Sequence, residues 1–132
     1  MTHPLIDRLT TEFGWPRLED AESLDAFVSA PGTHVVFLPG DPARNLETPD
    51  VAVILPELRM AFQNRFDCAV AGDALEKPIG ERAGTYKTPC LVFFRAGRPI
   101  GAIPKVRDWA DYMARITHIL AAPAADIPEH TA

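Results

Sequence analysis

Apolar positions recur at helical intervals near both ends of the chain and in short unbroken runs between them. Leu5, Leu9 and Phe13 are spaced i, i+4, i+8, which predicts a helix that Gly14 ends. Trp15–Leu18 reads as a short edge strand, the place in a sheet that tolerates Pro16. Leu24, Phe27 and Val28 share one face of a second helix, with Asp20 or Ser23 as its N-cap and Pro31-Gly32 as its stop. Residues 33–38 (THVVFL) are apolar almost throughout, without alternation, as a strand buried on both faces would be.

The stretch 40–50, GDPARNLETPD, is polar and rich in turn formers, a long loop for a small domain and of the kind that carries function. In 51–66, Ile54, Leu58, Ala61, Phe62 and Phe66 fall at helical spacing, and Pro56 predicts a kink near the first turns. FDCAVAG (66–72) is a second inner strand. DALEKPIGERAG (73–84) carries Pro78, Gly80 and Gly84 and predicts helix only in short pieces. Leu91–Phe94 and Pro99–Ile103 read as strands of a hairpin turning at Ala96-Gly97. Trp109, Met113, Ile116 and Leu120 mark an amphipathic C-terminal helix, with Asp108 near its start. The whole is expected to be one domain over 1–122, followed by a disordered Pro/Ala-rich tail, 123–132.

Composition narrows the function classes. A net charge of −5 makes the chain a poor candidate for nucleic acid, which needs a basic face, and none is expected as a partner. No run approaches the ~20 apolar residues of a membrane span, and the charged start MTHPLIDRLTTEFGW is no signal peptide, so a cytoplasmic protein is expected. Cys68 and Cys90 are then expected as free thiols. The histidines His3, His34, His118 and His130 are scattered and none is near a cysteine, so no metal or cofactor is expected. Cys90 has Arg82 and Lys87 near it in sequence, which suits a reactive thiolate. It also begins an apolar strand, where cysteine serves as a small hydrophobe.

Strands alternating with helices, then a hairpin and a final helix, is the element order of a thioredoxin-like domain: α/β, with a central mixed sheet of four to five strands flanked by helices. KTPCLVFFRAGRPIGAIPKVRDWADYM closely resembles the C-terminal half of thioredoxins. That resemblance implies a cis peptide bond at Thr88-Pro89 and makes Pro56 the kinking proline of the helix after the redox motif. Counting back from Pro56 puts Thr48 and Val51 at the positions of the redox cysteines. No cysteine precedes Cys68, so thioredoxin-type thiol exchange is excluded by composition. The same fold would place the strands of Cys68 and Cys90 on either side of the central strand, beyond disulfide reach.

Asp41-Pro42-Ala43-Arg44, Glu57-Leu58 with Phe62, and Ile79-Gly80-Glu81-Arg82-Ala83-Gly84 resemble recurring features of the HyaE/HupG hydrogenase-expression family, over about residues 13–121. The resemblance implies a non-enzymatic chaperone of uptake nickel–iron hydrogenase maturation. It would bind the small-subunit precursor and its twin-arginine signal peptide before export, with other maturation proteins as further candidate partners. A site for such a ligand is expected at Asp41, Glu47, Asp50, Asp73 and Glu76, whose carboxylates suit arginine, and at the Thr88-Pro89 shelf. Asp50 and Asp73 have an equally simple reading as helix caps, and Asp41 as a turn starter. Arg44 opposes a cationic ligand unless a loop carboxylate pairs with it. The alternatives are a single-cysteine thiol enzyme using Cys90, a peroxidase or glutathione-dependent transferase, and a structural subunit that pairs through the edge strand 99–103.

Overall fold

The computed structural model describes residues 3–122; the segment 123–132, read above as a tail, lies outside the described residues. The helices are α1 (Pro4–Thr11), α2 (Ala21–Ser29), α3 (Thr48–Ala61), α4 (Asp73–Ala83) and α5 (Trp109–Leu120). The strands are β1 (Arg17–Leu18), β2 (Thr33–Leu38), β3 (Phe66–Ala71), β4 (Cys90–Arg95) and β5 (Arg98–Pro104). They form one sheet in the order β1-β3-β2-β4-β5. β1, β3 and β2 are parallel, and β4 and β5 join antiparallel.

Every residue of β2 is buried because helices cover both faces of the sheet. Successive side chains point to opposite faces. Val35 and Phe37 meet Leu9 of α1, Leu55 and Leu58 of α3, and Tyr112 and Ile116 of α5. Val36 and Leu38 meet Leu24 and Val28 of α2 and Leu75 and Ile79 of α4. Phe93 and Phe94 divide between the two layers in the same way. Each large side chain so buried contributes about 1.5–3 kcal/mol, and these layers hold the helix ends that frame the site.

Local signals match where one residue decides them. Asp20 caps α2 in a reciprocal box with Ser23. Ala96 and Gly97 both take positive φ, 55° and 78°, as a tight hairpin turn requires. Thr88-Pro89 is cis.

Helix registers differ from the expectations in several places. α1 ends at Thr11 and buries Ile6 and Leu9, whereas Phe13 lies beyond it, exposed, with its ring 5.6 Å from that of Trp15. α3 begins earlier, at Thr48, and buries Val51, Ala52, Leu55 and Leu58 rather than the stripe through Ile54 and Ala61. Phe66 belongs to β3, because Gln63 and Asn64 take left-handed conformations that end the helix. Trp109 is the first residue of α5 and stands 47% exposed, while Tyr112, one turn on, fills the core.

The largest correction is α4, one continuous helix through Pro78 and Gly80. Leu75, Ile79 and Gly80 are buried against the sheet layer, and that packing outweighs the local cost of the breakers. The Ile79–Gly84 motif proves structural at each step. Ile79 is core, Arg82 Nη2 donates to the Gly97 carbonyl at 2.8 Å, and Gly84 is a left-handed C-cap. Gly80 gives room to a carbonyl: a Cβ there would sit 2.6 Å from the Thr85 backbone oxygen. Gly80→Ala should therefore destabilise the protein by about 1–3 kcal/mol, against the gain of about 1 kcal/mol that helix propensity alone predicts. Urea denaturation of the two proteins decides the sign.

Candidate functional site

Thr88 and Pro89 lead into β4 beside the loop that opens α3. That loop leaves β2 at Gly40, whose φ is +72°. A Cβ at Gly40 would lie 2.5 Å from the Thr88 hydroxyl and 2.6 Å from Asn45 Nδ2, so only glycine lets these segments close together. The Gly40 N–H donates to Glu76 Oε2 at 2.8 Å. The Thr88 hydroxyl donates to Asn45 Oδ1 at 3.1 Å, and Asn45 Nδ2 donates to the Asp41 carbonyl at 3.0 Å. Asn45 thus clasps the loop to the proline turn.

Two open depressions flank this clasp, and Thr88 lines both. One, of about 270 Å³, is walled by Leu38, Asp73, Glu76, Lys77, Tyr86 and Lys87. The other, of about 250 Å³, is walled by Arg44, Asn45, Leu46, Glu47, Pro89 and Lys105. Leu46 is 82% exposed and Tyr86 80%, so each depression has an apolar residue standing in solvent at its edge. Among the described residues, the backbone N–H and C=O of Thr88 make no hydrogen bond. The ridge between the depressions therefore offers one main-chain donor and one acceptor.

The expected site residues separate. Asp73, Glu76 and Thr88 share the first depression, and Glu47, Thr88 and Pro89 the second. Glu47 occupies the N-cap position of α3 but does not cap it; its Oε1 accepts from the Val106 N–H at 2.8 Å, bracing the chain between β5 and α5. Asp50 is not the N-cap either; it lies exposed in the first turn of α3 and is absent from the residues walling either depression. Asp73 is likewise not a cap, since Gly72 holds that place before α4. Asp41 starts a turn, accepting from the Ala43 N–H at 3.0 Å, and its Oδ2 lies 4.0 Å from Arg44 Nε. Asn45, Leu46, Tyr86, Lys87 and Lys105 were not among the expected residues. Leu46, the one large apolar side chain of a polar loop, is the signal legible in the sequence.

The positions matched to redox cysteines have no chemistry left. Thr48 is fully buried and its hydroxyl donates to the Pro39 carbonyl at 2.6 Å. Val51 is core. Cys68 and Cys90 lie on β3 and β4, with β2 between them, and belong to opposite layers of the core. Burial pushes the Cys90 thiol up to about 11, against weaker hydrogen bonds from Thr85 and Ile103, and pushes Cys68 up as well. Both are thiols, not thiolates, at neutral pH.

A proline turn set against the start of a helix, on this sheet order and without a thiol there, defines a thioredoxin-like fold that carries no redox pair. A thioredoxin from Halobacterium salinarum NRC-1 superimposes with a TM-score of 0.63 over 82% of this chain and 92% of its own, at 15% identity, a likeness of fold alone. A sequence profile described as Hydrogenase-1 expression protein HyaE matches residues 5–112. The hydrogenase expression/formation protein HupG of Rhodobacter capsulatus is 63% identical over 92% of this chain and 88% of its own length. HoxO of Azotobacter vinelandii, described in the same words, is 45% identical over 97% and 85%. A crystal structure of HupG from Rhodopseudomonas palustris CGA009 matches with a TM-score of 0.56 and 36% identity, over 80% of this chain and 96% of that one. The chain belongs to this HyaE/HupG family of hydrogenase expression/formation proteins.

Two measurements check the site chemistry. With Cys90 buried as a thiol, iodoacetamide should leave the native chain unlabelled over a time that fully alkylates it in urea; mass spectrometry showing a fast single adduct at Cys90 would restore the thiol-enzyme reading. Glu76 is the second case. Burial holds its carboxyl above the usual carboxylate range, with Asp73 adding to the effect and the Gly40 hydrogen bond and Arg17 opposing it. A raised carboxyl binds its proton more tightly in the folded chain, so its contribution to stability falls as pH rises from the unfolded value through the folded one. Glu76→Gln keeps an acceptor for Gly40 and removes the charge. It should raise Tm at neutral pH and leave it unchanged below the carboxylate range.

Proposed function

We propose that this protein is a non-catalytic chaperone of hydrogenase maturation in the cytoplasm. It holds an extended segment of the nickel–iron hydrogenase small-subunit precursor, including its twin-arginine signal, along the Thr88-Pro89 shelf before export. The observation that carries this reading is the unpaired Thr88 backbone, set between two depressions at the place where the fold has given up its thiols. An extended peptide that pairs with one exposed donor and acceptor gains affinity from the main chain and specificity from side pockets. Asp73 and Glu76 supply carboxylates on the Tyr86 side, and Leu46 and Tyr86 supply exposed apolar contact for the segment behind the arginines.

Membership of an expression/formation family supports an accessory role in hydrogenase production. The thiol-enzyme alternative is weaker, because Cys90 is 1% exposed and belongs to the core on the α2–α4 side.

Calorimetric titration of the full chain with the small-subunit signal peptide is the direct test, beside the same peptide with its arginine pair replaced by lysines. Saturable binding that weakens by about tenfold with the replacement is expected, since arginine pairs bidentately with carboxylates and lysine does not. A flat titration for both peptides at high micromolar concentration would sink signal capture.

A further inference from the structure

The depression on the Pro89 side is not built for arginine. Its charged walls are Arg44, Lys105 and Glu47, and Glu47 already has one oxygen committed to the Val106 N–H. The Arg44 side chain is 88% exposed and reaches Asp41 only at 4.0 Å, too loose a pair to neutralise it. Lys105 is exposed and takes a φ of +67°, a left-handed conformation in which glycine is at ease and lysine is uncommon. Its backbone is held there from both sides. The Lys105 N–H donates to the Pro89 carbonyl at 2.7 Å, and the Tyr112 hydroxyl donates to the Lys105 carbonyl at 3.4 Å. This backbone sets the Lys105 ammonium at the depression that Arg44 also lines.

We infer that Arg44 and Lys105 form a carboxylate-binding subsite, which takes an acidic side chain of the extended partner segment lying along Thr88. This rests on the shelf reading above and specifies the chemistry of what the shelf accepts. Successive side chains of an extended segment rise by roughly 3.3 Å and alternate in direction. A segment passing over the Thr88 ridge thus sends neighbouring residues into opposite depressions. One side presents Glu76 and Asp73 beside Lys77 and Lys87, the other Arg44 and Lys105 beside Glu47. A basic residue next to an acidic one matches both. The segment seated on the shelf therefore carries an acidic residue beside a basic one.

The test uses overlapping synthetic peptides covering the hydrogenase small-subunit precursor, signal included, probed with the full chain. Segments that bind should carry Asp or Glu beside Lys or Arg. Changing that acidic residue to its amide, or combining Arg44→Gln with Lys105→Gly in the protein, should weaken binding by about tenfold, and Lys105→Arg alone should preserve it. Lys105→Gly relieves the left-handed backbone, so its Tm should equal or exceed wild type, and a loss of binding is then not a loss of fold. Binding by segments without acidic residues, or indifference to both sets of changes, overturns this inference and leaves the shelf reading standing. If no segment binds, both fall.

Discussion

The structure depends on the burial of β2 on both faces. No position from Thr33 to Leu38 reaches solvent appreciably, so helices must pack above and below it. That constraint sets the rest of the architecture. α1, α3 and α5 occupy one layer and α2 and α4 the other. A strand covered on both faces and bordered on both edges leaves its C-terminal end as the place where polar groups can gather. There β2 gives way to Gly40 and the loop to α3, and β4 begins from Thr88-Pro89. The candidate site is a consequence of where the central strand ends.

The same constraint explains what became of the redox positions. Thr48 and Val51 stand at the opening of α3, yet neither faces a substrate. The threonine hydroxyl satisfies the Pro39 carbonyl, and the valine joins the core. A hydroxyl spent on a buried backbone carbonyl is structural, because leaving that carbonyl unpaired would cost about 1–3 kcal/mol. The cis proline and the loop that faces it remain. The result is a main-chain shelf whose character comes from its walls: Glu76 braced on Gly40, Glu47 braced on Val106, and three lysines and Arg44 beside them. Several of the acidic residues that look like ligands in the sequence hold loops together. The charge that lines the two depressions is mixed rather than acidic.

Much of the fold was legible because single residues decided it. Asp20 and the Ala96-Gly97 turn act locally, and apolar runs without alternation state two-sided burial directly. The misreadings share one cause. Pro78 and Gly80 look like breakers when only local propensity is weighed. Their cost of a few kcal/mol is offset by Leu75 and Ile79 packing on the sheet and by the Thr85 carbonyl that needs the space at Gly80. Spacing carries Phe13 and Phe66 past their helix ends, although Phe66 also opens the 66–72 strand, and puts exposed Trp109 on the core stripe, because spacing cannot say where a helix stops or which face it buries. The turns at Gln63 and Asn64, and the position of Tyr112, settled that.

By itself, the sequence determined the order of elements, the two-sided core, the absence of a thiol pair and the family resemblance, since each rests on residue type and spacing along the chain. Only the tertiary structure decided which charges meet at the shelf. Arg44 and Lys105 are far apart in sequence and converge beside Pro89 because the α3 loop and the end of β5 both close on it. Asp50 directly follows the loop that opens α3, yet the first turn of that helix leaves it exposed and off both depressions. Spacing along a chain fixes what one element can present, whereas a site drawn from several loops depends on how the sheet brings their ends together.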